Sequence, residues 1–392
     1  MSIDSISQRY IEIAFDLEAH VEGFVDAYFG PPELRQRPER RLPDAIVAEI
    51  DALRAAIAAS DYPAQRKGYL DVQLRGMAAT ARRLAGEALS YADEVRACFD
   101  IEPVYTPEAV FEAANAELEE LLPGVGPLAE RMAAWRHSFE VSPDMARQLI
   151  DLIAAEARRR TVAMIALPEG DEVRFELVRD KPWSGYNWYL GGARSLVEIN
   201  TDLPLKANAL LDLVCHEAYP GHHTEHALKE RRLYQERGWG EQAIQLINTP
   251  ECVIAEGIAT LAADMIFGDE ALAWAAENLY PLAGITGDPE REARIGKAQW
   301  SLRALSGNAA IMLHAQGADA DEVVRYIMRY GLRSEREARQ SLRFIQTPLW
   351  RTYTFTYFVG RSLLGHWIAR GDRHTRFTQL LTEQVYPSML LS

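Results

Sequence analysis

The feature that most constrains the fold is a 3.6-residue spacing of apolar side chains, which runs through most of the 392 residues. This spacing collects the apolar side chains on one face of a helix and leaves Glu, Arg and Ala on the other. We therefore predict a mainly α, multi-helical protein. The predicted helices cover residues 4–29, 43–60, 66–95, 107–121, 126–140, 143–166, 290–315 and 349–370.

The pattern changes between residues 170 and 201. There "DEVRFELVRD" and "RSLVEINTD" alternate apolar and polar residues, as strands with one buried face do. Between them lies the glycine-rich "YNWYLGGA", in which Gly191 and Gly192 are predicted turn residues. These segments predict one small antiparallel or mixed β-sheet, directly before the helix that contains most of the histidines.

Two regions are predicted along the chain. A helical N-terminal region would cover residues 1–140, and a second helical region, 141–392, would contain the sheet at about 170–201 and the candidate site. No linker composition marks the boundary near residue 140, so one compact unit is the alternative.

Charge and composition exclude several classes of function. The 57 acidic residues outnumber the 42 basic ones, and the net charge of −15 disfavours nucleic acid as a partner. No apolar run approaches the roughly 18 residues that a membrane span needs, and no signal-peptide pattern is present. We therefore expect a cytoplasmic protein without a membrane partner. The sequence also lacks P-loop, GxGxxG and GxSxG motifs.

A cluster of histidines points to chemistry. Four of the nine histidines lie in "LLDLVCHEAYPGHHTEH", residues 210–226. His216 and Glu217 begin like the HExxH motif of zinc proteases, in which two histidines four residues apart bind the metal from one helix face. Here Pro220 occupies the place of the second histidine. On an ideal helix His222 would lie about 9 Å further along the axis than His216, too far for a shared ion.

The Pro220–Gly221 pair offers a way around this spacing. Proline removes a helical hydrogen bond, and glycine tolerates the dihedral angles of a bulge or kink. Two looped-out residues would bring His222 into the position of a second ligand. His223 is the alternative ligand, and the residues alone leave this choice open.

A third ligand is expected from the helix in "TPECVIAEGIATLAADMIFG", where Glu256 is flanked by small residues. A buried carboxylate needs a compensating cation. We therefore predict one Zn²⁺ per chain, with His216, His222 and Glu256 as ligands and water in the fourth position. Glu217 is the predicted general base that takes a proton from this water.

Several segments resemble a known family. "HEAYPGHH", "AEGIAT", "LHAQGADADEVVRYI" and "RFIQTPLWRTYTFTYFVG" are similar to the bacterial family called domain of unknown function 885, which is grouped with the HExxH-type metallopeptidases. The resemblance covers about residues 170–365. It implies a mainly helical, zinc-metallopeptidase-like fold of the gluzincin type, with two histidines and a downstream glutamate as ligands.

The chain departs from the family pattern at some positions. Glu225 stands where the family usually has Gln, and the family's "VVDTGxH" appears as "NAAIMLH", in which His314 matches the histidine and Ala310 replaces the aspartate. Tyr357 and Gly360 match the family's YxxG. By this resemblance, Tyr357 is the first candidate to stabilise a transition-state oxyanion and His314 the second.

The predicted function is that of a zinc-dependent hydrolase that cleaves short peptides. The alternatives are a catalytically silent helical scaffold that keeps the metal site and a zinc hydrolase of a non-peptide amide. Residues 195–201 are predicted to be an edge strand that pairs with the substrate, with Glu198 and Asn200 at the contact. Arg351 or Arg361 is predicted to hold a substrate carboxylate. The sequence does not indicate an oligomeric state.

Overall fold

Helices form most of the protein, as the apolar periodicity predicts. The computed structural model describes residues 3–35, 40–181 and 183–391. The helices are α1 (Ser5–Glu18), α2 (Pro43–Ala59), α3 (Ala64–Leu84), α4 (Tyr91–Phe99), α5 (Glu108–Leu121), α6 (Leu128–His137), α7 (Pro143–Met164), α8 (Ala207–Glu217), α9 (His222–Lys229), α10 (Glu251–Phe267), α11 (Ala271–Asn278), α12 (Tyr280–Ala283), α13 (Pro289–Ser301), α14 (Leu305–His314), α15 (Ala320–Gly331), α16 (Glu335–Gln346), α17 (Phe355–Ile368), α18 (Arg373–Thr382) and α19 (Pro387–Leu390).

Local sequence explains where many of these helices begin. A side-chain oxygen at the N-cap accepts a hydrogen bond from a backbone N–H that the first helical turn leaves unpaired. At α16, Ser334 and Glu337 form a complete capping box. Side-chain caps also come from Asp4, Ser90, Ser142, Asp288, Asp319 and Asp372.

The strands form small sheets beside the helices. The strands are β1 (Val25–Tyr28), β2 (Glu140–Val141), β3 (Glu172–Val178), β4 (Gly185–Tyr189), β5 (Arg194–Asn200), β6 (Leu205–Lys206) and β7 (Ile244–Leu246). The largest sheet has the order β3–β5–β4, with β3 parallel and β4 antiparallel to β5. This is the predicted mixed sheet, and the two-stranded pairs β1–β7 and β2–β6 were not predicted.

The predicted edge strand at 195–201 is wrong, because β5 lies in the middle of its sheet. The edge strands are instead β3 and β4, and β4 comes from the segment that was predicted as a glycine-rich connection. Alternation of apolar and polar residues reports which side chains are buried. It does not indicate which strands lie on either side. The order of the strands depends on contacts between distant segments, which the alternation does not describe.

Some predicted helices are also shorter than expected. The helix predicted over 4–29 ends at Glu18, because Val25–Tyr28 pairs with Ile244–Leu246 from a distant part of the chain. The helix predicted over 66–95 is divided between α3 and α4. The helix predicted over 290–315 is interrupted by a 3₁₀ turn at Leu302–Ala304, which separates α13 from α14.

The largest apolar core combines side chains from both predicted regions. Residues of α1 to α5 pack there with residues of α14 to α17. In addition, β2 at the predicted boundary pairs with β6, which directly precedes α8. The first 140 residues therefore pack against the helices that surround the candidate site, and the boundary near residue 140 stays a prediction.

Helix α10 lies at the centre of the fold, because it contributes side chains to three apolar cores. Its first turn packs with the N-terminal helices, its last turns with α7, α8 and the sheet, and its apolar stripe with α9, α17 and α18. The stripe is the one that the sequence predicts: Ile254, Ile258, Leu261 and Met265. Glu256, which lies on this helix, is therefore buried among apolar side chains.

Helices α10 and α17 cross at two glycines. A Cβ atom on Gly360 would lie 2.4 Å from the carbonyl oxygen of Val253, and one on Gly257 would lie 2.9 Å from the carbonyl carbon of Gly360. Because these neighbours are backbone atoms, they cannot move aside cheaply. The crossing therefore requires the absence of side chains at both positions.

We expect Gly360→Ala to lower the free energy of unfolding by about 1–3 kcal/mol, because the added methyl group overpacks the crossing. Gly365→Ala is the matched control in the same helix, since a Cβ atom there meets nothing within 4 Å. The control should be neutral or stabilising by up to about 1 kcal/mol. Chemical denaturation of both variants measures the difference, and equal stabilities would contradict the crossing described here.

Candidate metal centre

The predicted break in the histidine-rich helix is present. Helix α8 ends at Glu217, α9 begins at His222, and the Tyr219–Pro220 peptide between them is cis. Backbone hydrogen bonds continue across the break: Gly221 N–H donates to the carbonyl of Cys215 at 3.0 Å, and Glu225 N–H donates to the carbonyl of Gly221 at 3.0 Å. The two helices are thus held in a defined relation.

Gly221 is required by close packing at this break. A Cβ atom on Gly221 would lie 1.9 Å from the carbonyl oxygen of His216 and 2.4 Å from that of Cys215. Its φ of −76° is not in the left-handed region. The reason for glycine is therefore the approach of the next helix to the end of α8, rather than the conformational freedom that the sequence suggested.

The break brings the three predicted ligands together. One ligand atom each from His216, His222 and Glu256 lies within 4.8 Å of the other two, and this is the one such group of His, Cys, Asp or Glu found in the described part of the chain. The Oε2 atom of Glu256 lies 3.4 Å from Nε2 of His216 and 3.9 Å from Nε2 of His222. Side chains from α8, α9 and α10 thus converge on one point.

His223 lies elsewhere and uses both ring nitrogens in the core. Its Nδ1 lies 2.8 Å from the hydroxyl of Ser195, and its Nε2 lies 2.7 Å from the carboxylate of Asp171. The ring is fully buried. Of the two histidines that the sequence left open, His222 is therefore the one placed to bind a metal, and His223 joins α9 to the sheet.

The chemistry of the three side chains fits a zinc ion. Two imidazole nitrogens and one carboxylate oxygen form a donor set typical of zinc in hydrolases. The Oε2 atom of Glu256 is buried without a hydrogen-bond partner, while its Oε1 accepts a hydrogen bond from the hydroxyl of Tyr353 at 2.9 Å. An unsatisfied buried carboxylate oxygen is costly, and a cation at this point would satisfy it.

Burial also leaves His222 in the protonation state that a metal ligand needs. Loss of hydration, together with the nearby charge of His216, lowers the pKa of His222 to about 4. The imidazole is therefore neutral at physiological pH, with a lone pair available for a metal.

Glu217 lies between the ligands and strand β4. The side-chain amide of Asn187 donates to the backbone carbonyl of Glu217 at 2.6 Å, and a Cβ atom on Gly185 would lie 3.2 Å from its Oε1. Burial and the negative charge of Glu256 raise the pKa of the Glu217 carboxyl to about 7. A pKa near neutrality suits a group that must both accept and release a proton.

Two tyrosines from the segment around α17 approach the ligands, and their ring centroids are 5.8 Å apart. The hydroxyl of Tyr353 donates a hydrogen bond to Glu256. This contact was not predicted from the sequence, although Tyr353 lies one turn before Tyr357. Burial and the charges of Glu256 and Glu217 raise the pKa of Tyr357 well above its usual value. Its phenol therefore stays protonated and can act as a hydrogen-bond donor.

The second candidate donor, His314, has contacts of a different kind. Its Nε2 lies 2.7 Å from the carbonyl oxygen of Ile345, and its ring packs on Tyr91 at 5.1 Å between centroids. Arg351 also contacts Tyr91: its guanidinium lies over the tyrosine ring, and it pairs with Glu94 at 3.4 Å. None of these described contacts involves a predicted metal ligand.

Other predicted substrate contacts are engaged with the protein itself. Arg361 pairs with Asp264 and donates to the carbonyl of Thr260. Glu198 accepts a hydrogen bond from Trp188 at 3.0 Å. Asn200 donates to the carbonyl of Lys181 at 2.8 Å. Glu198 and Asn200 alternate with the buried residues of β5, so they lie on the sheet face away from the metal-site helices.

The N-terminal region contributes one acid that the sequence analysis missed. Asp26 lies at an irregularity in the pairing of β1 with β7, where a bulge can redirect a side chain. Its carboxylate accepts a hydrogen bond from the hydroxyl of Tyr186 in β4. Burial and the charges of Glu256 and Glu217 raise the pKa of Asp26 to about 7. No local motif marks Asp26, because only the distant strand pairing brings it to the site.

Two solved structures share the fold of this chain. "The putative lipoprotein from Colwellia psychrerythraea" is 17% identical, with a TM-score of 0.54 over 88% of this chain and 65% of that protein, slightly under two thirds of its length. A "putative lipoprotein of unknown function from Shewanella oneidensis" is 12% identical, with a TM-score of 0.51 over 89% of this chain and 72% of that protein. At these identities the similarity concerns the fold alone.

No family model and no curated protein matches the chain. The resemblance to the domain of unknown function 885 family therefore stays a prediction from the quoted motifs. Within the described residues, no helix combines the length and apolar character that crossing a membrane requires.

We expect protein purified without added metal to contain close to one zinc ion per chain, and His222→Ala to lose most of it, because His222 supplies one of three protein ligands. His223→Gln is the matched control: it removes a neighbouring imidazole and should keep the zinc while lowering stability. Elemental analysis and melting temperatures measure both effects. Loss of zinc in the control but not in His222→Ala would reverse the assignment.

Proposed function

We propose that this protein is a zinc-dependent hydrolase that cleaves short peptides. The observation that supports this most directly is the convergence of His216, His222 and Glu256 next to Glu217. A zinc ion held by two imidazoles and one carboxylate would have a coordination position left for water, and Glu217 would be the adjacent base. The fold similarity does not bear on the activity, so the proposal depends on the geometry of these four side chains.

Each protein group has a role in this proposal. A bound zinc ion would supply a Lewis acid that acidifies water and polarises an amide carbonyl. Glu217 accepts a proton from water and passes it to the leaving amine as a general base and then a general acid. Tyr357 donates a hydrogen bond to the oxygen that becomes negative during attack. Tyr353 acts on Glu256 and so positions a metal ligand.

Strand β4 is the proposed platform for an extended substrate. In the described part of the sheet it is hydrogen-bonded on one side only, to β5. Asn187 fixes it to the end of α8, beside Glu217. A peptide added to this edge would gain main-chain hydrogen bonds and pass the metal site in an extended conformation. This role replaces the one predicted for residues 195–201.

The cytoplasmic location also stays a prediction.

The test of the activity is a screen of short peptides, with free and blocked ends, against the zinc-loaded protein and its Glu217→Gln variant. We expect Glu217→Gln to keep its zinc and to lose turnover by roughly 10²–10⁴-fold, because general-base catalysis contributes about that much. Glu277→Gln makes the same change at an exposed position and serves as the control. Turnover near wild type in Glu217→Gln would remove this residue from the mechanism.

A pair of tyrosine variants separates a donor to the transition state from a group that positions a ligand. Tyr357→Phe should lower kcat and kcat/KM together by roughly 10²–10³-fold at unchanged zinc content. Tyr353→Phe should weaken zinc binding by about 10–100-fold, because it removes the hydrogen bond to Glu256, and should keep most of kcat when zinc is saturating. Zinc titrations and steady-state kinetics distinguish the two. The opposite pattern would exchange the roles.

A further inference from the structure

Asp171 is a buried acid that the proposed mechanism does not use. It lies directly before β3, and only 2% of its side chain is exposed. Its carboxylate accepts hydrogen bonds from the side chains of Arg158, Tyr219 and His223. The sequence analysis gave no reason to consider this acid, because Tyr219 and His223 lie 48 and 52 residues further along the chain.

Two of these partners lie on opposite sides of the break between α8 and α9. Before His222, the hydroxyl of Tyr219 lies 3.2 Å from Oδ1 and 3.3 Å from Oδ2 of Asp171. After His222, the Nε2 atom of His223 lies 2.7 Å from Oδ1. The rings of Tyr219 and His223 also meet edge to face, with 5.2 Å between their centroids. One carboxylate thus holds the chain on both sides of a predicted metal ligand.

The carboxylate is in turn fixed to the surrounding elements. Arg158 of α7 donates to its Oδ2 at 2.7 Å, and His223 contacts the hydroxyl of Ser195 in β5 through Nδ1 at 2.8 Å. Burial opposes the charge of Asp171, but the bonds from His223 and Arg158 outweigh burial and hold the pKa of this carboxyl below its usual value. The group is therefore ionised at neutral pH, and its hydrogen bonds are charge-assisted.

Ser195, His223 and Asp171 are the residue types of a serine-hydrolase triad, but burial excludes that role. Ser195 is 2% exposed and His223 is 0% exposed, so a substrate cannot reach the hydroxyl. The ring is also reversed relative to such a triad, because Nδ1 faces the serine and Nε2 faces the carboxylate. The network therefore acts on the position of other groups and not on a substrate.

His222 is the ligand whose place depends most directly on this network. Its ring centroid lies 4.8 Å from that of His216 across the break. The side chains of His216 and His222 are 19% and 15% exposed, so packing encloses them less than it encloses His223. A metal site needs its ligands within about 0.5 Å of the productive geometry. Contacts that fix the residues around His222 therefore bear on the metal.

We propose that Asp171 is a positioning residue for the metal centre, which holds Tyr219 and His223 and so keeps His222 at the distance from His216 that a shared ion requires. This inference rests on the proposed metal site and identifies a residue that sets its affinity. Groups that orient a ligand without touching the metal typically contribute 10–100-fold to metal affinity. Asp171 acts through the neighbours of a ligand rather than through a hydrogen bond to the ligand itself.

The test measures the metal affinity of the full-length protein by competition with a chelator, for zinc and for cobalt, whose visible absorption reports ligand geometry. We expect Asp171→Asn to lower zinc affinity by roughly 10–100-fold and to change the absorption of bound cobalt. Arg158→Gln is the matched control, because it removes a half-exposed partner of the same carboxylate away from the break. It should change the affinity by less than about 3-fold, the range of context effects around a surface ion pair.

A second control separates positioning from stability. Ile50→Val lowers the stability of the N-terminal core, in which Ile50 is fully buried, and should leave the zinc affinity and the cobalt spectrum unchanged. Equal affinities of Asp171→Asn and the wild type would overturn the proposal. Tyr219→Phe removes only the contact before the break, and it replaces Asp171→Asn if that variant does not fold. It should lower the affinity by up to about 10-fold.

A double-variant cycle tests whether the effect passes through His223. Asp171→Asn and His223→Gln break the same contact, so the double variant should lose about as much affinity as the larger single loss. Losses that multiply would overturn this route. Losses of 10–100-fold appear in the competition with a chelator but leave the site occupied in purified protein, in agreement with the zinc content expected of His223→Gln.

Amide hydrogen exchange without metal keeps this result separate from the proposed function. Asp171→Asn should speed exchange in residues 221–226 more than elsewhere, whereas Ile50→Val should not. Unchanged exchange there, or faster exchange with unchanged metal affinity, overturns the positioning role. If the wild type binds no metal, the proposed metal site fails, and faster exchange at the break still supports the hold of Asp171 on His222. If metal binds as expected but no peptide is cleaved, only the peptidase proposal fails.

Discussion

The arrangement around the centre of this protein depends on one buried carboxylate, that of Glu256. It lies on α10, a helix that is apolar along nearly all of its length and packs into three cores. A carboxylate in such surroundings costs several kcal/mol unless charges and hydrogen bonds compensate it. Tyr353 satisfies one oxygen, and the other faces His216 and His222 without a hydrogen bond. The helices around α10 are thus arranged so that one oxygen atom and two imidazoles share a space that a cation would fill.

This arrangement depends on close backbone contacts at two places, and in each place the contact requires glycine. At Gly221 the start of α9 approaches the carbonyl oxygens at the end of α8, which brings His222 near His216. At Gly257 and Gly360 the backbones of α10 and α17 cross, which brings Tyr353 and Tyr357 towards Glu256. In both places the position of a functional side chain follows from the absence of a Cβ atom nearby. A side chain at Gly221, Gly257 or Gly360 would push the neighbouring helices apart. It would therefore act on the site by moving the ligands and not by changing their chemistry.

The sequence predicted the parts of the site that depend on local chemistry. The broken helix followed from Pro220 and Gly221, and the carboxylate ligand followed from a lone Glu256 among small residues; the structure brings both to one place. The parts that the sequence did not predict depend on contacts between distant segments. Asp26 reaches the site through pairing of β1 with β7, and β4 is an edge strand because of its neighbours. Periodicity describes one element at a time, so it predicted the mainly helical fold but not these juxtapositions.

The buried acids Glu217 and Asp26 would make the stability of the fold depend on whether a metal ion is bound. In the folded chain without metal, the pKa values of Glu217 and Asp26 are raised to about 7, in both cases first by burial and then by neighbouring acids. A raised pKa favours the protonated form, so the stability that these groups contribute is fully present below their unfolded values near 4 and is lost as the pH rises through about 7. A divalent cation among the same side chains would have the opposite effect, because it would stabilise the ionised carboxylates. Above neutral pH a bound metal ion would therefore offset the unfavourable burial of these charges, and metal binding and the stability of the fold would be coupled most strongly there.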